Sequence, residues 1–131
     1  MFSFSSPQTI HFGRGHSKQT ATIAKGYGDA ALLVHGATAQ RAEWLVTLCN
    51  DAGLSIKTIS CQNEPSLLDV ERALAGLQGF RPAVVIGLGG GSVIDLAKAL
   101  AALIPCTEPA ENYLEVVGDG RHLDAPPIPM I

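Results

Sequence analysis

AVVIGLGGGSVIDLAKALAALI, from Ala83 to Ile104, is a largely apolar run whose glycines cluster between Gly87 and Gly91 and whose polar side chains are Ser92, Asp95 and Lys98. Its first part, AVVIGLG, opens after Pro82 and shows no polar alternation, which is the pattern of a parallel strand covered on both faces. The second part, GGSVIDLAKALAALI, carries apolar residues at three- and four-residue spacing, has no glycine beyond its start and stops at Pro105, as a helix does. A strand that passes through a glycine turn straight into a helix is half of a β-α-β unit, so the expected architecture is α/β with a parallel sheet.

The same alternation extends upstream. AALLVHG, ending at Gly36, reads as a strand. From Thr38 to Ala52 the residues Ala42, Leu45, Val46, Cys49 and Ala52 share one helical face, and Gly53 follows as a stop. LSIKTIS, from Leu54 to Ser60, alternates as a strand. SLLDVERALAGLQ, from Ser66 to Gln78, has an N-cap serine, an acid in its first turns and the apolar set Leu67, Val70, Leu74 and Leu77. Nearer the start, TIHFG (Thr9 to Gly13) is expected to be a short strand and Ser17 to Lys25 a weak helix. Past Pro105 the text becomes rich in Pro, Gly and charge. It reads as a surface excursion with one amphipathic turn over Asn112 to Val117, and Ile128 to Ile131 then open another strand. The units share no sequence similarity of the kind that marks a solenoid. Residues 1–131 are expected to form one domain, and a domain that ends as a strand opens is expected to be part of something longer.

Composition narrows the function classes. The chain is 131 residues long, 47% hydrophobic and only 16% charged, with a net charge of −3 and no block of like charges. It buries much, solvates little and offers nothing to a polyanion, which argues against nucleic-acid binding. Three cysteines, Cys49, Cys61 and Cys106, stand far apart with no C-x-x-C pair, the usage of a reduced, cytoplasmic protein. No stretch approaches the ~18 apolar residues of a membrane span, so neither membrane nor export is expected.

The chemistry concentrates in Gly87-Leu88-Gly89-Gly90-Gly91-Ser92, between the buried strand and its helix. Glycine lets backbone N–H groups approach a ligand closely, and the helix N-terminus behind them carries partial positive charge, so the run is built to cradle phosphate. A bare strand-to-helix turn would need one glycine and would waste the entropy of the rest. No lysine adjoins the run, which removes the P-loop and nucleoside triphosphate hydrolysis. The usual dinucleotide fingerprint fails as well, because Ser92 stands at its third glycine and the acids that follow, Glu108 and Glu111, fall in a proline-flanked loop.

GGGSVIDLAKA (Gly89 to Ala99) resembles the G-G-G-S-x-x-D-x-A-K-A segment of the iron-containing, or group III, metal-dependent alcohol dehydrogenases. PPIPMI resembles that family's run into a central strand of the nucleotide domain, TIHFGRG (Thr9 to Gly15) its opening strand and F-G-x-G turn, and ALLVHG its second strand. Glycerol dehydrogenases and dehydroquinate synthases share a related glycine run, but Ser92 with the Asp95 and Lys98 spacing favours the alcohol dehydrogenase branch. The resemblance implies a Rossmann-like domain, the truncated N-terminal dinucleotide-binding part of a two-domain dehydrogenase. It makes Gly89, Gly90, Gly91 and Ser92 the pyrophosphate cradle of NAD(H) or NADP(H), with Asp95 toward the nicotinamide side. The plain reading of Asp95 and Lys98 is an acid near a helix N-terminus and an i,i+3 pair. Gly36 matches the position where NAD-preferring relatives carry an aspartate that repels a 2′-phosphate, so NADP is not excluded. Thr38, Gln40 and Arg41 could donate to that phosphate and are equally natural at a helix start.

The resemblance also implies iron or zinc in the full-length enzyme, held by a helical C-terminal domain that these 131 residues do not contain. His11, His16, His35 and His122 lack ligand spacing, and no catalytic or metal residue is assigned here. Two functions remain in view. One is the NAD(P)-binding portion of an alcohol dehydrogenase that moves hydride between nicotinamide and an alcohol or aldehyde, inactive as this chain alone. The other is a non-catalytic nucleotide-binding or interaction module, and a fragment of a related glycerol dehydrogenase-like enzyme stands as a variant of the first. The implied partners are a small-molecule dinucleotide and, through an unfinished apolar sheet edge, further copies of the chain.

Overall fold

The computed structural model describes residues 7–114 and 118–131. Three parallel strands form the sheet in the order β2-β1-β3: β1 Ala30–Gly36, β2 Ser55–Cys61 and β3 Val84–Leu88. The helices are α1 Thr20–Lys25, α2 Glu43–Asp51, α3 Leu67–Gly76 and α4 Gly91–Leu103. In register, Leu33 of β1 stands between Thr58 of β2 and Ile86 of β3.

Alternate side chains of β1 build two cores. Leu32 and Val34 pack with Val85, Val70, Leu77, Val93, Leu96 and Leu100, the layer of α3 and α4. Ala31 and Leu33 pack on the other face with Val84, Ile86, Ala24, Leu45 and Cys49, the layer of α1 and α2. Both faces are thus dry, and each fully buried leucine contributes about 1.5–3 kcal/mol to folding. The α/β class with a parallel sheet expected from the strand text, and the Rossmann-like domain implied by the resemblance, are what is observed.

The ends of α3 follow its sequence closely. Ser66 accepts from the Asp69 N–H while the Asp69 carboxylate accepts from the Ser66 N–H, a reciprocal cap that closes the first turn. The Asp69 carboxyl is held below its ordinary range by those bonds. At the far end of α2, Gly53 sits at φ 76° and turns the chain into β2.

Three expectations need correction. Thr9–Gly13 forms no strand: Ile10 is 76% and Phe12 95% exposed, and among the described residues no ladder partner lies alongside. Alternation prescribes an extended chain, but a strand also needs a neighbour to satisfy its N–H and C=O groups. The helix expected from Thr38 begins as a 3-10 turn, Ala39–Arg41, and α2 starts only at Glu43. Neither Thr38 nor Ala42 supplies a capping side-chain bond, so the orphan amides are met by tighter i→i+3 bonding. Likewise Ser17–Lys25 divides into a 3-10 turn, His16–Gln19, and the short α1.

The excursion after α4 folds back as a 3-10 turn, Ala110–Tyr113, whose Ala110 is buried against the α3 and α4 layer. The rest of the amphipathic turn expected there, residues 115–117, lies outside the described residues. Beyond it the expected strand opening is present. The Val85 N–H donates to the Pro129 carbonyl (2.9 Å), the Ile131 N–H to the Val85 carbonyl (2.9 Å) and the Gly87 N–H to the Ile131 carbonyl (2.8 Å), so Met130 bridges β3 in parallel.

One carboxylate ties this excursion together. Asp124 accepts from the Thr107 N–H (2.9 Å), from the Tyr113 hydroxyl and from the Thr107 hydroxyl (3.0 Å). These bonds hold the Asp124 carboxyl below its ordinary value, while desolvation and the Asp124 contact push the Tyr113 phenol up to about 12. A carboxyl whose folded pKa is depressed stabilises the fold above its unfolded value of ~3.9 and loses that contribution as pH falls through the folded value. Asp124→Asn is therefore expected to lower the thermal midpoint at pH 7 and to differ little from the parent near pH 2. Paired thermal melts across that range check it, and a constant difference at every pH would mean that the charge plays no part.

Candidate functional site

The connections place the site. β1 runs through α2 to β2 on one side, and β2 returns through α3 to β3 on the other, with α2 and α3 on opposite faces. The direction in which strands are added to the sheet thus reverses between β1 and β3, and the loops leaving their C-terminal ends diverge, which opens a crevice at that point. The loop after β1 begins at Gly36, and the loop after β3 is Gly89-Gly90.

A cleft of ≈430 Å³ lies there, lined by His35, Gly36, Thr38, Arg41, Gly89 and Gly90 among others. Four of the seven residues singled out for cofactor contact, Gly36, Thr38, Gly89 and Gly90, therefore come together. Gly91 and Ser92 form the first turn of α4 just beyond them. Asp95 does not join the cleft: it is exposed, past the first turn of α4, and no ion pair links it to Lys98 among the described residues. Lys98 instead borders a separate groove with His11, Arg14 and His16.

The backbone of this loop is poised for an anion. The first intrahelical bond of α4 runs from the Ile94 N–H to the Gly90 carbonyl (3.1 Å), and the N-cap Gly90 supplies no side-chain acceptor. The amides of Gly90, Gly91, Ser92 and Val93 are thus left to an outside partner at the positive end of a 13-residue helix.

The glycines divide by what a side chain would meet. A Cβ on Gly89 would come within 2.6 Å of Val93, so the strand-to-helix packing requires that glycine, and one on Gly87 would stand 3.0 Å from the tip of Ile94 and 3.3 Å from Ala97, a tight fit that favours glycine there. A Cβ on Gly90 or Gly91 would meet nothing within 4 Å, and neither residue has a positive φ. The fold has no need of glycine at those two positions; a ligand that approaches the backbone does. Gly36 has open space around it as well.

The strand text did not point to the loop after β2. Cys61, the last residue of that strand, directs its thiol at the Asn63 carbonyl (3.1 Å) and the Ser92 carbonyl (3.5 Å), which joins this loop to the glycine turn. Burial pushes the Cys61 thiol up, and the nearby Asp69 charge adds to it. A second cleft of ≈390 Å³ follows, with Gln62, Asn63 and Arg72 on its walls. Only its position at the same sheet edge could have marked it.

Metal ligation has no such geometry. His11 and His16 lie together with ring centroids 5.9 Å apart, His35 is at the end of β1, and among the described residues no group of three His, Cys, Asp or Glu side chains could hold an ion.

The sequence profile of the family described as iron-containing alcohol dehydrogenase matches residues 7–131. The chain belongs to the iron-containing alcohol dehydrogenases. Among its relatives, an NADPH-dependent butanol dehydrogenase of Clostridium saccharobutylicum is 30% identical over 105 residues, which is 76% of this chain and 26% of that protein. An alcohol dehydrogenase of Thermococcus barophilus is 28% identical over 135 residues, 98% of this chain and 34% of that one. Among solved structures, an iron-containing alcohol dehydrogenase from Thermotoga maritima superposes with a TM-score of 0.79 at 25% identity, covering 99% of this chain and 36% of its own. This family member therefore spans about a quarter to a third of the length of such relatives. Among the described residues no helix is long and apolar enough to cross a membrane.

The two kinds of glycine give a stability test. Gly89→Val forces a side chain into Val93 and is expected to cost about 1–3 kcal/mol, as overpacking does. Gly90→Val enters open space and is expected to cost no more than about 1 kcal/mol, through the weaker N-cap preference of valine. Chemical denaturation of both variants checks the order, and equal losses would remove the distinction.

Proposed function

We propose that the crevice between the β1 and β3 loops binds NAD(H) or NADP(H), and that the chain is the nucleotide-binding portion of a metal-dependent alcohol dehydrogenase. The observation that carries this reading is the pair Gly90 and Gly91, glycines that the packing does not require, ahead of four amides without intrahelical partners. Gly89 to Ser92 would receive the pyrophosphate on the α4 N-terminus, and Gly36 and Thr38 would face the adenosine ribose. Asp95, outside the cleft, is assigned to the nicotinamide side of the bound cofactor.

The bound nicotinamide supplies the hydride chemistry, and this chain's residues supply binding and orientation. The described residues do not fit iron or zinc, so no step is assigned to a metal here. On this reading the alcohol or aldehyde and the metal would be held by parts of the family fold outside these residues. A reducing, cytoplasmic setting agrees with three free cysteines. Self-association agrees with the exposed Ile10 and Phe12 beside an open groove along Met130 and Ile131.

Gly90→Val tests the cradle. It is expected to abolish dinucleotide binding in calorimetric titration while the protein stays folded, and unchanged affinity would reduce the glycine run to a turn.

Gly36→Asp tests the ribose side, because Gly36 leaves room and no negative charge where a 2′-phosphate would lie. At an effective dielectric near 20, a like charge ~4 Å away costs on the order of 4 kcal/mol before screening. Preference is expected to move toward NAD(H) by about tenfold or more, since ~1.4 kcal/mol surviving the screening suffices. The ratio of the two affinities is the measurement, and an unmoved ratio would place ribose recognition elsewhere.

A further inference from the structure

His35 stands apart from every other residue of the core. It is the one polar side chain among the described residues that is buried, 6% exposed at the C-terminal end of β1, where apolar residues fill the preceding positions Ala31 to Val34. Strand alternation sets it on the Leu33 face, and it stands in register with Leu88 of β3 and Ser60 of β2. Placing an imidazole there instead of a fifth buried apolar group costs desolvation unless its nitrogens are used.

One nitrogen is used by the fold. Nδ1 lies 2.7 Å from the Gly36 carbonyl oxygen, and a carbonyl only accepts, so Nδ1 carries the proton and donates. That fixes the neutral ring's tautomer and leaves Nε2 with a lone pair. Nε2 has no protein partner, and no side-chain nitrogen or oxygen sealed from solvent lacks one among the described residues, so Nε2 opens on the space His35 lines. That space is the crevice shared with Gly36, Thr38, Arg41, Gly89 and Gly90. No acid lines it. Its charged side chain is Arg41, and the side chains able to accept a hydrogen bond are His35 and Thr38.

We propose that His35 is a specificity-determining residue for the adenosine ribose, its Nε2 accepting from a ribose hydroxyl. The proposal rests on the dinucleotide reading of the crevice and adds to it the identity of a selecting group. A hydroxyl donates to Nε2 of the neutral ring directly, whereas the oxygens of a 2′-phosphate can bond that nitrogen only after the imidazole takes up a proton. Arg41 acts in the opposite direction, because its fork of N–H donors suits a phosphate. His35 therefore does part of the work that Gly36, lacking a carboxylate, leaves undone, and holds the chain nearer to NAD(H) than Gly36 and Arg41 alone would.

Two substitutions separate the nitrogens. His35→Phe keeps a ring and removes both nitrogens. His35→Asn retains an N–H near the Nδ1 position, able to hold the Gly36 carbonyl, and has no atom where Nε2 stood. Dissociation constants for NADH and NADPH are measured by calorimetry on the parent chain and both variants, with thermal melts alongside. In both variants the affinity ratio is expected to shift toward NADPH by about five- to tenfold, the worth of one lost hydrogen bond. Should His35→Phe fail to fold, His35→Asn carries the test alone. A ratio that stays at the parent value in His35→Asn overturns the proposal, because the carbonyl bond alone would then explain the residue. A parent chain that binds neither nucleotide overturns the dinucleotide reading itself, an outcome visible before any variant is made.

Discussion

The rest of the structure depends on β1 being hydrogen-bonded on both edges. Its residues pair with β2 on one side and β3 on the other, all in parallel, and that forces each connection to cross a face of the sheet rather than turn as a hairpin. Because the first crossover steps from β1 out to β2 and the second steps back from β2 past β1 to β3, their helices cover opposite faces, and five consecutive residues of β1 are buried as a result. The same reversal parts the loops at the strand ends. The crevice is thus a product of strand order, and it exists before any residue is chosen to line it.

Onto that crevice the glycine run adds two separable requirements. Gly87 and Gly89 let α4 settle against β3, where Ile94 and Val93 occupy the space a Cβ would need. Gly90 and Gly91 serve no such contact. Packing set by the first pair aims the α4 axis into the crevice; openness at the second pair keeps its terminal amides accessible. On the proposed reading, a variant of the first kind would disturb binding by moving the helix and one of the second by filling the space in front of it, and stability separates the two.

How much of this was legible in the sequence depends on whether a residue's partner is local. AVVIGLG and its helix, the Ser66 cap and the Gly53 stop were all readable because the deciding interactions lie within a few residues. TIHFG misleads for the opposite reason: its alternation is local, but a strand also needs a neighbouring chain, and Ile10 and Phe12 instead face solvent. The late start of α2 hinges on a capping bond that Thr38 does not make, although the residue type favours one. In the candidate site, Gly36 and Gly89 to Gly90 were readable from strand ends, whereas the loop after β2 enters only through the contact of Cys61 with Ser92. His35 reads in sequence as the polar end of a strand. Its significance lies in burial and in a bond to its own neighbour's carbonyl, and neither shows in the text.

The electrostatics of the crevice follow from the same separation of local from global. The chain carries a net charge of −3, so at long range it repels a dinucleotide rather than attracting one. That repulsion is spread over the surface and is screened beyond about 8–10 Å at ordinary ionic strength. What remains at contact distance is the crevice's own lining, which holds no acid, one arginine and the unpaired amides at the start of α4. Amide dipoles fixed by a helix cost no reorganisation when an anion arrives, and a phosphate that meets several of them replaces its water without meeting a carboxylate. An acidic domain can therefore offer an anion site, provided no acid lines the space in front of one helix end, and the lining of this crevice meets that condition.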